Sequence, residues 1–306
     1  MNVVDILVTT ARAKPDQAAI IDTCRGTSRV TTYWELDRWS QEAAGLFHSK
    51  GIGAGDAMLI LCPMCAELYA ALLALFRIGA IGMFIDPSFD RHSIEACCST
   101  FPPKGFFATA RGHLLRLVSP GIRGIRARFS PERGVPGASP LGSLSTPFTG
   151  VHATADNAPA LLTFTSGSTD LPKAAMRTHG FLLAQHKALA DTMRLRPGEL
   201  NLTALPIVVL SNLASGVTSL LPNTGARRPE RIDPAPVCSQ IREDGPNAIT
   251  ASPTFLSRIA DHCAKRTSKL TGVRRILCGG GPIFPAMQEK LRALAPQAEI
   301  VAVYGT

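Results

Sequence analysis

The sequence predicts an α/β fold in which parallel-rich sheets are covered by helices. Short apolar runs suited to strands alternate with segments of helical periodicity over nearly all 306 residues, and this alternation is typical of parallel sheets with helices on both faces. Several runs are apolar without interruption, as in strands that are buried on both faces. Apolar residues make up 45% of the chain and charged residues 18%, which indicates a globular protein and not a disordered one.

Residues 1–130 are predicted to form a first α/β subdomain. Its clearest helix begins at Tyr33, because Leu36, Trp39 and Ala43 recur at helical spacing. The predicted strands are residues 18–22, 57–62, 81–86 and 105–109. The predicted helices are residues 33–48, 66–78 and 93–99.

A second α/β subdomain is predicted over residues 160–306, after a break at residues 131–159. The break is rich in Pro, Gly, Ser and Thr and lacks periodicity, so we expect a long loop or linker there. The predicted strands that follow are residues 160–165, 202–209, 248–252, 273–278 and 299–304. The predicted helices are residues 180–193, 212–221, 235–243, 253–265 and 285–294. Because ligands bind at the carboxyl ends of parallel strands, we expect the chain to end inside its own active site.

The net charge of +9 suits an anionic small ligand, a nucleic acid or an acidic membrane surface. The densest basic region lies between Arg111 and Arg133, and a solvated basic face is the favoured interpretation there. Aromatic residues make up only 6% of the chain and do not interleave with these arginines in the pattern typical of nucleic-acid binding, which argues against a nucleic-acid partner. DNA binding that weakens with added salt would be the sign of that weaker alternative.

The eight cysteines lie mostly within apolar runs, which indicates buried free thiols in a reducing compartment. The Cys62-Pro63-Met64-Cys65 segment has no second pair at zinc spacing, and a redox pair stays open as the alternative there. Asp5 and Arg12 interrupt the apolar positions of residues 1–13, so no export signal is visible. Arg77 breaks the longest apolar run, which leaves no stretch long enough for a membrane span. We therefore expect a cytoplasmic protein.

A loop of small hydroxyl residues and glycine follows the predicted strand at residues 160–165. Its sequence is Thr163-Phe164-Thr165-Ser166-Gly167-Ser168-Thr169-Asp170-Leu171-Pro172-Lys173. Small residues let backbone N–H groups approach an anion, hydroxyls add donors and Lys173 adds a charge, a combination suited to a polyphosphate. A plain Ser/Thr/Gly turn would have the same composition, which leaves both interpretations open. The glycine spacing of a P-loop is absent, which disfavours a P-loop kinase or GTPase.

This loop resembles the phosphate-binding signature of the adenylate-forming superfamily, which includes acyl-CoA synthetases, nonribosomal-peptide adenylation domains and luciferases. In that superfamily the loop is Ser-Gly-Thr-Thr-Gly followed by Pro-Lys-Gly. Further segments that resemble family motifs, in the expected order, are Thr32-Tyr33-Trp34-Glu35-Leu36, Arg77-Ile78-Gly79-Ala80 with Phe84-Ile85-Asp86-Pro87, and Gly279-Gly280-Gly281-Pro282 with Val303-Tyr304-Gly305-Thr306. The resemblance implies the large N-terminal domain of an adenylate-forming enzyme, with two subdomains and without the small C-terminal domain.

The resemblance also implies a role at an ATP site for each matching residue. The residues that would hold the β- and γ-phosphates are Thr165, Ser166, Gly167, Ser168, Thr169 and Lys173. Those that would contact the adenine side are Gly280, Gly281, Pro282, Tyr304, Gly305 and Thr306, with Tyr304 stacked on the ring. Without the resemblance, Tyr304 would be a core tyrosine at a strand end and the glycines a strand-to-helix turn. For His179, a helix-capping role shared with Thr178 stays open beside a catalytic one.

The implied reaction uses ATP and Mg²⁺ to join a carboxylic acid, expected to be fatty or hydroxy-fatty, to AMP. A CoA or carrier-protein thiol, or an internal hydroxyl, would then displace AMP. The candidate acyl-pocket residues are Val208, Leu210, Asn212 and Gly216. They lie in an apolar stretch that lacks a histidine found in many acyl-CoA synthetases and that resembles the olefin-pathway β-lactone synthetases. A buried strand and helix is the alternative interpretation of this stretch.

Two positions depart from the family signature. Asp170 and Ala174 stand where the family has glycines. A like charge beside a triphosphate costs about 1 kcal/mol at 4 Å in water and more in a drier site. Asp170 is therefore expected to weaken ATP binding, to turn outward or to meet the magnesium ion. The resemblance puts the magnesium-binding glutamate and the catalytic lysine beyond Thr306, and we therefore assign no catalytic residue and no metal ligand. A truncated, catalytically incomplete fragment that binds nucleotide weakly or not at all is the alternative function.

Overall fold

The computed structural model describes residues 1–24, 26–86, 89–143, 146–165, 172–194, 196–224 and 229–303. The α-helices are α1 Val4–Ala13, α2 Tyr33–Ser49, α3 Ala66–Arg77, α4 Arg91–Thr100, α5 Ala110–His113, α6 Pro120–Arg123, α7 His179–Met193, α8 Pro206–Ala214, α9 Pro234–Asp244, α10 Pro253–Ala264 and α11 Pro285–Leu294. Short 3-10 helices cover Leu114–Leu117 and Pro229–Arg231. The strands are β1 Ala18–Cys24, β2 Thr27–Thr32, β3 Ala57–Leu61, β4 Ile81–Phe84, β5 Gly105–Ala108, β6 Ala127–Ser130, β7 Ser139–Pro140, β8 Pro159–Thr165, β9 Lys173–Thr178, β10 Leu200–Thr203, β11 Thr218–Leu220, β12 Ala248–Ala251, β13 Arg275–Gly279 and β14 Glu299–Val303.

The chain divides into two compact units that are each discontinuous in sequence. Unit 1 comprises Met1–Ala11 and Trp34–Gln185, and unit 2 comprises Arg12–Tyr33 and His186–Thr306. Each unit contains one seven-stranded sheet. Both units therefore contain a parallel-rich sheet with its own apolar core, in agreement with the predicted α/β fold class.

The sheet of unit 1 has the strand order β7-β6-β5-β3-β4-β8-β9. Its neighbours are parallel except for β8 and β9, which form an antiparallel pair at one edge. Helix α3 is buried along its whole length except at Glu67, as expected for a helix that is apolar on every face. Within the described ranges, no helix is both long and apolar enough to cross a bilayer.

The sheet of unit 2 has the strand order β14-β13-β12-β10-β11-β1-β2. It is parallel except for the hairpin β1–β2, whose first strand pairs with β11. Asp22 and Arg29 face each other in this hairpin with two hydrogen bonds of 2.9 and 2.6 Å. Helices α9, α10 and α11 cover the sheet, and their apolar side chains form its main core cluster with those of β10, β12 and β13.

Most predicted elements are present, but two predictions were wrong. Residues 202–209 were predicted as one strand, whereas β10 ends at Thr203 and α8 begins at Pro206. Proline is favoured in the first helical turn, where its missing N–H costs no hydrogen bond, and burial of α8 outweighs the strand propensity of its β-branched residues. Residues 212–221 were predicted as a helix, whereas α8 ends at Ala214 and Thr218–Leu220 forms strand β11.

Candidate active site

The hydroxyl-rich loop lies between the two strands of an antiparallel hairpin. Thr165, the last residue of β8, pairs with Lys173, the first residue of β9. Directly opposed residues in such a pair have Cα atoms about 5 Å apart, so the loop begins and ends at nearly the same point. The predicted phosphate ligands Ser166, Gly167, Ser168 and Thr169 lie outside the described residues, as does Asp170, and Thr165 is described only in its backbone.

Lys173 is exposed at the base of this loop. No described residue forms an ion pair with its ammonium group. A second cation of the same strand, Arg177, is committed elsewhere, since its Nη1 donates a 2.7 Å hydrogen bond to Oγ1 of Thr163. Lys173 is therefore an exposed cation beside the loop, and none of the described residues neutralises it through an ion pair.

The contacts at the start of α7 bear on whether Thr178 and His179 have a helix-capping or a catalytic role. Oγ1 of Thr178 accepts a hydrogen bond of 3.1 Å from the backbone N–H of Phe181, so Thr178 caps the helix. The His179 side chain is fully buried, and its Nδ1 accepts a 3.2 Å hydrogen bond from the backbone N–H of Val3. Burial, reinforced by the N-terminal ammonium group, lowers the pKa of His179 to about 4. These contacts support a structural role for both residues.

The predicted adenine-side glycines form a turn after β13 in unit 2. A side chain at Gly279 would place its Cβ 2.9 Å from the backbone oxygen of Val303 in β14, so only glycine fits there without a shift. Gly280 has φ of +78°, a backbone conformation that favours glycine. Gly280, Gly281 and Pro282 are all exposed. The turn thus presents bare backbone at the carboxyl end of β13, where ligands of parallel sheets bind.

A pocket of about 530 Å³ adjoins this turn. Its lining residues are Glu230, Ser252, Pro253, Thr254, Ser257, Arg258, Gly280, Gly281, Pro282, Phe284 and Met287. The lining combines an apolar surface with hydroxyl groups, bare backbone and the charged side chains of Glu230 and Arg258, which suits a planar ligand with polar edges. Tyr304, Gly305 and Thr306, the other predicted adenine-side residues, lie outside the described residues.

Several of these lining residues were not predicted from the sequence. Phe284 is 66% exposed. Its position shortly after the glycine turn is a sequence signal that could have identified it as a candidate ligand contact. Ser252 caps α10 through a 3.3 Å hydrogen bond from the backbone N–H of Phe255. Ser252 follows β12, which neighbours β13. Because ligands bind at the carboxyl ends of neighbouring parallel strands, the sequence could have placed Ser252 near Gly280.

The candidate acyl-pocket residues lie in and just after α8. Val208 and Asn212 are buried, Leu210 is partly exposed, and Gly216 forms a turn with φ of +68°. The Asn212 amide is hydrogen-bonded inside unit 2, since its Oδ1 accepts from Asn201 at 3.3 Å and its Nδ2 donates to Ser219 Oγ at 3.0 Å. Their assignment to an acyl pocket stays a prediction.

The segment Arg77-Ile78-Gly79-Ala80, which resembles a family motif, has a structural role in unit 1. Only 1% of the Arg77 side chain is exposed, and its guanidinium group pairs with Asp37. Gly79 has φ of +73°, and a Cβ there would lie 2.6 Å from the His152 ring. The motif therefore holds α3 and the segment around His152 in close contact.

Comparisons with known proteins identify the family to which the chain belongs. A family model for AMP-binding enzymes matches residues 7–306. An olefin beta-lactone synthetase of Stenotrophomonas maltophilia is 27% identical over 99% of this chain and 57% of its own length. A medium-chain fatty-acid–CoA ligase of Escherichia coli is 25% identical over 97% of this chain and 54% of its own length. The chain thus spans about half the length of the curated relatives it matches.

Solved structures show the same fold. A long-chain-fatty-acid–CoA ligase of Archaeoglobus fulgidus superimposes with a TM-score of 0.85 at 18% identity, covering 100% of this chain and 64% of that one. At this identity the likeness concerns the fold alone. The family match covers nearly the whole chain and includes both the loop before Lys173 and the Gly279–Pro282 turn, and the chain belongs to the AMP-binding enzyme family.

Proposed function

We propose that this chain binds ATP and takes part in the AMP-forming activation of a carboxylic acid. In that reaction a carboxylate oxygen forms a bond to the α-phosphorus of ATP. The bond from the α-phosphorus to its bridging oxygen breaks, and pyrophosphate leaves with the electron pair. The protein's task is to position the reactants and to stabilise negative charge.

The observation that carries this proposal is the hairpin closed by Thr165 and Lys173. Its loop contains three hydroxyl residues, a glycine and one carboxylate, followed by Leu171 and Pro172. Lys173 at its base is exposed and forms no ion pair with a described residue. Such a loop can direct N–H groups, hydroxyls and an ammonium group at one polyphosphate. We assign the β- and γ-phosphates to residues 165–169 and Lys173.

We assign the adenine to the turn of Gly280, Gly281 and Pro282, with Tyr304, Gly305 and Thr306 completing that side. Support comes from the pocket beside the turn. The absence of side chains at the glycines lets a flat ring approach the backbone closely. Phe284, which lines the same pocket, adds an apolar surface.

For the acid we propose a fatty or hydroxy-fatty substrate, with a CoA or carrier-protein thiol as acceptor. Support comes from the names of the relatives, an olefin beta-lactone synthetase and a medium-chain fatty-acid–CoA ligase, and from the apolar sequence of α8. We also propose a cytoplasmic location, which the free state of all eight cysteines supports.

Mg²⁺ belongs to this proposal as the partner of the triphosphate, which would supply oxygen ligands and receive charge compensation. Among the described residues, no group of three His, Cys, Asp or Glu side chains is placed to hold a metal ion. We therefore assign no protein ligand to Mg²⁺.

A binding experiment tests the phosphate assignment separately from the adenine assignment. MgATP and an acyl-sulfamoyl adenosine with a fatty chain share the adenosine, but only MgATP carries β- and γ-phosphates. We expect both ligands to raise the melting temperature, since a ligand at 100 times its Kd adds about 2.7 kcal/mol. We expect Lys173→Ala to weaken MgATP at least about tenfold, because a charge-assisted hydrogen bond contributes about 1.5–3 kcal/mol, and to spare the acyl-sulfamoyl adenosine.

Lys187→Ala is the matched control, because Lys187 is an exposed lysine on α7 outside the site. It should leave both affinities unchanged. Equal MgATP binding by the wild type and Lys173→Ala would remove the phosphate assignment. Failure of both ligands to bind would favour the alternative of a fragment without nucleotide affinity, and carboxylate-dependent ATP–pyrophosphate exchange tests the chemical step.

A further inference from the structure

Two cysteine thiols meet at the carboxyl end of β3 in unit 1. The Sγ atoms of Cys62 and Cys65 are 3.8 Å apart, and both side chains are partly exposed. Cys62 follows β3 directly, and Cys65 is the extended residue that precedes α3. The Cys62-Pro63-Met64-Cys65 segment thus holds two sulfur atoms close together on two partly exposed residues.

The Cys62–Cys65 pair lies at the same end of the unit 1 sheet as the phosphate loop, where the parallel strands β3, β4 and β8 end. Ile60 of β3 is level with Phe84 of β4, which is level with Thr163 of β8. Cys62 and Thr165 each stand two residues further along their parallel strands, with β4 between them. At about 4.8 Å per strand, Cys62 is about 10 Å from the start of the loop. The thiols therefore form a separate cluster beside the candidate site.

We propose that Cys62 and Cys65 form a reversible intramolecular disulfide in exchange with low-molecular-weight disulfides such as oxidised glutathione. A disulfide has an S–S distance of about 2.05 Å, so the two sulfur atoms need to approach by about 1.7 Å. Rotation about the side-chain bonds of two neighbouring thiols can supply an approach of that size. Nothing in this proposal depends on ATP binding.

The exchange is balanced in two steps. Cys65 loses its proton to solvent, and its sulfur attacks one sulfur of the small disulfide, whose S–S bond breaks and whose other half leaves as a thiolate. Cys62 then loses its proton and attacks the Cys65 sulfur, which releases the second thiolate. The released thiolates take up the two protons, and the protein dithiol is oxidised by two electrons while the small disulfide is reduced by two.

Cys65 is assigned the first attack because it is the residue that precedes α3, and the N-terminus of a helix favours negative charge. The hydrogen bond with Cys65, burial, and the charge of Glu67 all raise the pKa of Cys62. A thiol must ionise before it attacks. Cys62 ionises more readily once Cys65 is in the mixed disulfide, because its hydrogen bond with the Cys65 thiol is then lost. Its role is thus that of the resolving thiol.

A second close pair in unit 2 serves as an internal control. The Sγ atoms of Cys238 and Cys263 are 3.7 Å apart, but each residue is only 2% exposed. If proximity alone decided oxidation, this pair would react equally well. Because a small disulfide must reach a sulfur atom, we expect Cys238 and Cys263 to stay reduced while the protein is folded.

The test equilibrates the whole chain in glutathione buffers that run from fully reduced to fully oxidised. After acid quenching and alkylation, peptides are analysed by mass spectrometry. We expect an intramolecular disulfide in the peptide that contains Cys62 and Cys65, with full recovery of both thiols in reduced glutathione. Stable glutathione adducts at both residues, a pair that stays reduced throughout, or prior oxidation of Cys238 and Cys263 would each overturn the proposal.

Single variants test the order of attack. Cys62→Ser and Cys65→Ser should each retain one glutathione instead of forming the intramolecular bond. The mixed disulfide should form faster in Cys62→Ser, which keeps the attacking thiol, than in Cys65→Ser. The reverse order of rates would refute the assignment of Cys65 as the attacking thiol, whereas the wild-type measurement decides disulfide formation regardless of how the variants fold.

Discussion

Arg77 is a cation with almost no contact with solvent. Besides its pairing with Asp37, its guanidinium group donates hydrogen bonds to the Ser40 hydroxyl at 3.2 Å and to the carbonyl oxygen of Gly150 at 3.2 Å. The backbone oxygen of Arg77 also accepts from His152 at 2.8 Å. Through its side chain and its backbone, Arg77 therefore joins α2, α3 and the segment at 149–152. Pairing with Asp37 neutralises the guanidinium charge and makes its burial tolerable.

We expect Asp37→Ala to lower the free energy of unfolding by about 3 kcal/mol, because it leaves the buried Arg77 without its counter-charge. Adding Arg77→Met should recover part of this loss, since the double variant no longer buries a charge. Urea unfolding of both single variants and the double variant measures the coupling. The exposed pair of Arg38 and Glu42 is the control, and Arg38→Ala should cost less than about 1 kcal/mol. Strictly additive losses at Asp37 and Arg77 would show that the pair does not act as a unit.

His179 leads to a prediction about pH. Its folded-state pKa of about 4 lies below the ordinary value of 6.5, so the unfolded chain takes up the proton first. The stabilisation from neutral His179 is complete above pH 6.5 and is lost as the pH falls towards 4. The loss is up to about 3 kcal/mol.

The variant His179→Asn keeps an acceptor for the Val3 N–H but has no imidazole to protonate. Its unfolding free energy should fall less steeply than that of the wild type between pH 6.5 and 4. Urea titrations at several pH values measure the difference in slope. Parallel curves for the two proteins would rule out His179 as the source of the acid sensitivity.

At the scale of elements, local turns decide where the candidate site lies. The Gly279–Pro282 turn joins β13 to the segment before α11, and each glycine meets a different constraint. Gly279 faces the β14 backbone, Gly280 needs its left-handed conformation, and a Cβ on Gly281 would meet Pro253 at an ordinary 3.6 Å. Gly279 is therefore required by packing and Gly280 by its backbone conformation, whereas neither constraint applies to Gly281.

We expect alanine substitutions to rank in the order Gly279, Gly280, Gly281 by loss of stability. Gly279→Ala should cost about 1–3 kcal/mol by overpacking, Gly280→Ala about 1 kcal/mol by backbone strain, and Gly281→Ala close to nothing. Melting temperatures measure the order. Gly281→Ala should nevertheless weaken the acyl-sulfamoyl adenosine, because its methyl group narrows the adenine side, and unchanged affinity would remove Gly281 from the site.

Helix α8 shows why some elements escaped prediction. Its sequence, from Pro206 to Ala214, is apolar and rich in β-branched residues, a pattern that a buried strand shares with a buried helix. In the fold, β10 is only four residues long, and the apolar run is needed to cover the sheet. The polar edge strands β2 and β9 were also not predicted, because an edge strand buries only part of its surface and carries little apolar pattern.

At the scale of the whole molecule, pairing partners lie far apart in sequence. Strand β1 pairs with β11, and the hairpin β1–β2 closes one edge of the unit 2 sheet. The segment Arg12–Tyr33 thus belongs with a unit whose other residues begin at His186. Backbone hydrogen bonds hold these strand pairs together. Because nearly all residues carry the same backbone groups, the side-chain pattern does not predict which strands will pair.

The sequence by itself determined the alternation of strands and helices, the hydroxyl-rich loop with its lysine and the glycine turn, since periodicity and small residues act locally. Only the tertiary structure decided that Thr165 and Lys173 are paired, that a pocket adjoins Gly280, that His179 is buried and that the Cys62 and Cys65 sulfur atoms touch. Each of these facts depends on which strand neighbours which and on how tightly the core closes. Such contacts arise from the packing of distant segments, and a local pattern of residues does not specify them.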